Sequence, residues 1–168
     1  TWIEDIVKPR GFTVEDAGLT GGLMIIGGIL GALVIPYLSD RFRKRKIFVL
    51  IALAGAVAGL GGITFSTDYF LLMASSFVLG FFLLSAGPIG FQYGAELTYP
   101  VSEGTSNGLL LLAGQISGIG FIFGMEYLKN PVSASMQLPL VIMIGLMILS
   151  FFMALLIPES PFMKKEKV

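Results

Sequence analysis

The sequence predicts an all-α membrane protein, a polytopic bundle of five transmembrane helices, and three observations carry that prediction. Of its 168 residues 55% are hydrophobic and 13% charged, with a mean hydropathy of +0.86, whereas soluble domains average about 25% charged residues. No charge falls between Ala17 and Ser39, Ile47 and Thr67, Tyr69 and Ala95, or Gln137 and Pro158. A soluble bundle keeps a polar face on each helix, and these stretches have none. Each is also long enough to cross a bilayer core of about 30 Å as a helix that satisfies its own backbone.

The first span, Ala17 to Leu38, stops at the basic stretch S-D-R-F-R-K-R-K, Ser39 to Lys46. The second, Ile47 to Phe65, ends at Ser66 to Asp68. The third runs from Tyr69 to Tyr93; its Gly87-Pro88 step, followed by Gly90, removes a backbone donor and should kink the helix near one end. The polar connector Ala95 to Thr105 separates it from the fourth span, Ser106 to Leu128. The fifth is Leu138 to Ile157, before a tail with three lysines. The expected domains are an extracellular segment 1–16 after a truncated helix, a transmembrane domain 17–158 and a cytoplasmic tail 159–168. The opening T-W-I-E-D-I-V-K-P-R-G-F has no initiator Met and no signal-peptide n-region, so it reads as cut from a longer chain.

Short loops rich in Lys and Arg stay in the cytoplasm. Arg41, Arg43, Lys44, Arg45 and Lys46 put the first loop inside, the tail lysines do the same, and the Ser66 to Asp68 loop falls outside. The segment after Leu128 lies outside with one Lys. The Ala95 to Thr105 connector then lies inside although it has no basic residue. Alternation places the N-terminus of the chain outside and its C-terminus in the cytoplasm of a cell-membrane protein.

With no Cys and no His, the chain has no disulfide framework, no Cys- or His-ligated metal site and no Cys–His or Ser–His nucleophile. A net charge of zero supplies no field for nucleic acid. No catalytic constellation faces another within the spans, so no enzyme and no cofactor are expected. Glycine is frequent, at 22 residues. The pairs Gly18/Gly22, Gly27/Gly31, Gly55/Gly59, Gly114/Gly118 and Gly120/Gly124 have the spacing that lets helix backbones approach closely in lipid.

In context the basic loop reads I-P-Y-L-S-D-R-F-R-K-R-K. It resembles the G-x-L-(S/A)-D-(R/K)-x-G-(R/K)-(R/K) signature of the major facilitator superfamily. Leu38, Ser39, Asp40, Arg41, Lys44 and Arg45 match it, while Pro36 and Arg43 stand where the two glycines belong. The connector is similar to the E-x-x-x-P…R-G-x-x-x-G pattern of that superfamily: Glu96, Pro100, Gly104 and Gly108 fit, and Glu103 replaces the Arg. The wording E-L-T-Y-P-V-S-E-G-T-S-N-G-L-L, with Gln115 downstream, resembles the feline leukaemia virus subgroup C receptor-related family, associated with choline, ethanolamine and haem transport. The resemblance implies helices eight to twelve of a twelve-helix secondary transporter, with Thr1 to Val7 ending helix seven. The N-terminal half, absent from this chain, would be the partner. A small organic solute would bind near the midplane between two halves that rock around it.

The connector's residue types permit turn formation and capping: Pro100 restricts the residue before it. Thr105 or Ser106 can cap the next helix, and Glu103 suits the positive end of its dipole. The resemblance implies in addition a cytoplasmic gate in which Asp40, Arg41, Lys44, Arg45, Glu96 and Glu103 form one charge network. Gln115 lies ~13 Å into its span at ~1.5 Å per residue, close to the midplane. An amide there either bonds a neighbouring helix or contacts substrate from a cavity. Gln92 and Ser85, with Ser75 and Ser76, are further candidates for that cavity. No span carries a midplane ionisable residue, so ion coupling lies elsewhere or the transporter is a uniporter. The competing reading is an assembly subunit that packs through its glycine faces and transports nothing.

Overall fold

The computed structural model describes residues 2–7, 11–128 and 136–164. Among these residues the regular structure is entirely helical: α1 (Trp2–Val7), α2 (Val14–Phe42), α3 (Arg45–Phe65), α4 (Tyr69–Leu97), α5 (Glu103–Leu128), α6 (Gln137–Leu156) and α7 (Pro161–Lys164). Helices α2 to α6 are long and apolar enough to cross a membrane. They coincide with the five expected spans. Most of the loop at Lys129 to Gln137 expected on the outer side, residues 129–135, and tail residues 165–168 lie outside the described residues.

Helix ends differ from the apolar limits because polar groups cap them. Thr13 and Asp16 form a reciprocal capping box: the Thr13 hydroxyl accepts from Asp16 N–H at 3.2 Å, and Asp16 Oδ2 accepts from Thr13 N–H at 2.8 Å. That starts α2 three residues before the first apolar residue of the span. At its other end α2 continues to Phe42, so the basic loop shrinks to Arg43 and Lys44. Arg43 stands in the left-handed region (φ 51°, ψ 46°), its N–H bonded to the carbonyls of Asp40 and Ser39. This is where the signature places glycine, and the structure gives the reason: the chain leaves the helix through a conformation that costs an L-residue about 1–2 kcal/mol. Asp68 caps α4 by accepting from Leu71 N–H at 3.1 Å. Pro88 does not end α4, which runs on to Leu97.

Helix α4 packs between α2 and α3, and α6 lies against α3. The approach is backbone to backbone. A Cβ on Gly31 would collide with the Phe81 carbonyl, one on Gly80 with the Met24 carbonyl, and one on Gly59 with the Leu79 backbone. The expected pairs Gly27/Gly31 and Gly55/Gly59 therefore sit at α4. The other three pairs, Gly18/Gly22, Gly114/Gly118 and Gly120/Gly124, meet no other helix among the described residues, with no neighbouring atom within 4 Å of a would-be Cβ. Spacing alone sets a possible face, and the rotation of each helix decides whether a neighbour meets it. One apolar cluster, with Val7, Leu60, Ile63, Leu72, Leu79 and Leu140, fills one end of the bundle. A smaller one, Ile35, Phe48 and Ile89, lies toward the Arg43 turn. Helix α5 is different: of its residues only Ser106 and Met125 are buried.

Candidate functional site

Arg45 begins α3 with its side chain 2% exposed. A buried guanidinium needs carboxylates and further acceptors to offset its desolvation. Glu96, near the end of α4, supplies one oxygen to both Nε (3.2 Å) and Nη2 (3.1 Å). Asp40, in the last turn of α2, pairs with Nη1. Ser39 Oγ accepts from the same nitrogen at 3.2 Å and contacts the Lys44 carbonyl at 3.3 Å. The ends of α2, α3 and α4 are thus tied at one charge. The tie exists because α2 stays helical through the basic stretch and turns sharply at Arg43.

The turn after α6 closes the other side. Glu159 Oε1 accepts from the N–H groups of Arg45 and Lys46, each at 3.0 Å. Lys46 Nζ donates to the Leu155 carbonyl at 2.6 Å, and the Tyr93 hydroxyl to the Pro158 carbonyl.

Beside this cluster lies a cavity of about 730 Å³, lined among others by Gln92, Glu96, Tyr99, Ser102, Glu103 and Phe162. Tyr99 and Phe162 meet edge to face with centroids 5.4 Å apart. Glu96 turns Oε1 to Arg45, and its Oε2 is buried with no hydrogen-bond partner among the described residues. Two acidic residues and three aromatic ones, including Phe91, therefore border one opening. Capping of α5 falls to Ser102 rather than to Thr105 or Ser106: Ser102 Oγ accepts from Thr105 N–H at 3.4 Å and bonds the Thr105 hydroxyl at 2.7 Å. Ser106 instead pairs with the Thr98 hydroxyl at 2.6 Å and closes α5 onto the end of α4.

The structure brings Asp40, Arg45 and Glu96 together. It places Glu103 on the cavity without an ion pair to Arg45, and Lys44 is the residue before α3. Arg41 reaches the Tyr37 hydroxyl at 3.5 Å on an exposed face. The three candidate substrate residues do not share this cavity. Gln92 lines it, whereas Gln115 is exposed on α5. Ser85 is buried and donates to the Phe82 carbonyl of its own helix at 2.7 Å. Ser76 is likewise bonded to Leu72 at 2.7 Å. Sequence reasoning missed Glu159 and Tyr93. The available signal was P-E-S-P, an acidic turn directly behind an apolar span.

Five membrane-length helices, three of them tied at one end by a buried arginine, define a polytopic membrane bundle. The chain belongs to the Major Facilitator Superfamily, whose family pattern matches residues 2–168. It is 35% identical to an uncharacterized protein of Archaeoglobus fulgidus, over 95% of this chain and 71% of that one. It is 34% identical to solute carrier family 49 member A3 of Xenopus tropicalis over 80% of this chain and 29% of the relative. To the human choline/ethanolamine transporter FLVCR2 it is 34% identical over 63% and 21%. The chain thus spans less than a third of either named transporter.

Proposed function

We propose that the chain forms one half of a secondary transporter that moves a small organic solute by alternating access. The Arg45 cluster carries the reading, because it joins three helix ends beside a cavity at the end of the bundle that its basic residues make cytoplasmic. Asp40, Arg45 and Glu96 form the lock of a gate, with Arg41, Lys44 and Glu103 facing a second helical bundle. The exposed length of α5, with Gln115 on it, is the surface such a bundle would cover. Covering it would place Gln115 at the solute path, with Gln92 further along the α4 side and Ser85 buried behind it. The names of the relatives make choline and ethanolamine the first solutes to test. Uniport fits the position of the ionisable residues on α2 to α6, which cluster near the helix ends. The open glycine pairs of α5 also suit a non-transporting assembly subunit.

The test is uptake of radiolabelled choline by the full-length protein in proteoliposomes. Gln115→Ala should abolish most uptake, and Glu96→Gln with Glu103→Gln should slow it without lowering expression. Wild-type uptake that is zero for choline and ethanolamine removes those solutes. Unchanged uptake by both variants removes the gate and the role of Gln115.

A further inference from the structure

Away from the charged corner, α4 and α5 meet at a polar contact to which the reading above gives no task. Of α5 only Ser106 and Met125 are buried, and the Ser106 hydroxyl stands 2.6 Å from that of Thr98, the residue after α4. A hydroxyl has one hydrogen to give. Thr98 spends its own on the Gly94 carbonyl at 2.9 Å, so Ser106 is the donor between the two. The result is a relay from Ser106 through Thr98 to Gly94, in which each bond polarises the next. One turn deeper the same helices touch again: a Cβ on Gly94 would lie 2.8 Å from Leu110 Cδ1. A helix with so few covered residues takes its direction from the contacts at its ends.

We infer that Thr98 and Ser106 are positioning residues. Their relay clasps the adjoining ends of α4 and α5, so that the two helices move as one hairpin. Tyr99 and Glu103 line the cavity and lie on the stretch between the clasped residues, so the clasp also holds that wall in place. Gln115 lies about 14 Å further along α5 at ~1.5 Å per residue, and a tilt at Ser106 displaces it sideways. The effect on transport rests on the reading of Gln115 as a solute contact; the clasp itself does not.

This chain has no cysteine. In the full-length protein, with any cysteine elsewhere in it replaced by serine, Thr98→Cys with Ser106→Cys should close a disulfide on mild oxidation. Loss of maleimide labelling in denaturant, restored by reductant, reads closure without any transport. Thr98→Cys with Thr105→Cys, one position off the clasp, should stay open. Equal closure of the two pairs overturns the clasp. For transport, the oxidised Thr98→Cys/Ser106→Cys protein should keep the parent KM, because the clasp stays shut through the cycle. Reduction leaves two weakly bonding thiols and should raise KM about fivefold, the worth of one lost hydrogen bond. Thr98→Ser, which keeps the hydroxyl, should stay close to the parent. A KM indifferent to reduction overturns the positioning role, and an oxidised protein that no longer transports overturns the single hairpin. A wild type without uptake removes the transport reading instead, and closure of the two pairs then decides the clasp by itself.

Discussion

Arg45 and Glu96 stand 51 residues apart in the chain and meet at 3.1 and 3.2 Å, with the arginine side chain 2% and the glutamate side chain 14% exposed. Among the described residues this pair joins α3 and α4 by charge rather than by apolar packing. A buried pair of this kind returns about what its desolvation costs, but removing one partner strands the other, at about 3–5 kcal/mol. Arg45→Met should therefore lower the melting temperature in detergent sharply. Combining it with Glu96→Leu should recover most of the loss. Simple addition of the two single losses would show that the charges do not act as a pair.

The glycines separate by rotation of their helices. Gly31→Ala and Gly80→Ala press a Cβ into a facing carbonyl, and overpacking of this kind costs about 1–3 kcal/mol. Gly18→Ala meets no atom within 4 Å and should gain up to ~1 kcal/mol from helix propensity. Thermal unfolding of the three variants checks the order, and a Gly18→Ala loss as large as that of Gly31→Ala would contradict it.

Arg43 occupies its left-handed turn at a cost that glycine does not bear. Arg43→Val should be the least stable variant at this position, by about 1–2 kcal/mol relative to Arg43→Gly. The comparison uses two uncharged residues, so the loss of the arginine charge cancels. Equal melting temperatures would mean that the turn relaxes when the side chain changes.

Ser102 accepts from the first turn of α5. Ser102→Ala should cost about 1 kcal/mol, and Ser102→Asp should retain the cap. Hydrogen exchange at the Thr105 amide reads the effect directly. Unchanged protection in Ser102→Ala would move the cap to another residue.

Much of the architecture was legible in the residues. The five spans were legible because bilayer thickness sets a minimum apolar length, and runs such as Tyr69 to Tyr93 have no competing interpretation at that length. The signature around Asp40 and Arg45 falls at the end of the bundle where Asp40, Arg45 and Glu96 meet. The cap was misplaced because Ser102, Thr105 and Ser106 are chemically alike, and only the trajectory from Leu97 into α5 chooses among them. Glu159 was overlooked because its partners are backbone groups, which have no residue identity to read.

The sequence by itself determined the number of membrane helices, their order and the end at which positive charge gathers, because these depend on hydropathy and charge along a line. The tertiary structure alone decided which glycines meet a carbonyl, that Arg45 rather than its basic neighbours is buried, and that α3 takes its cap from Glu159. Those outcomes depend on how each helix is rotated and on which ends converge, and a linear pattern leaves both angles free.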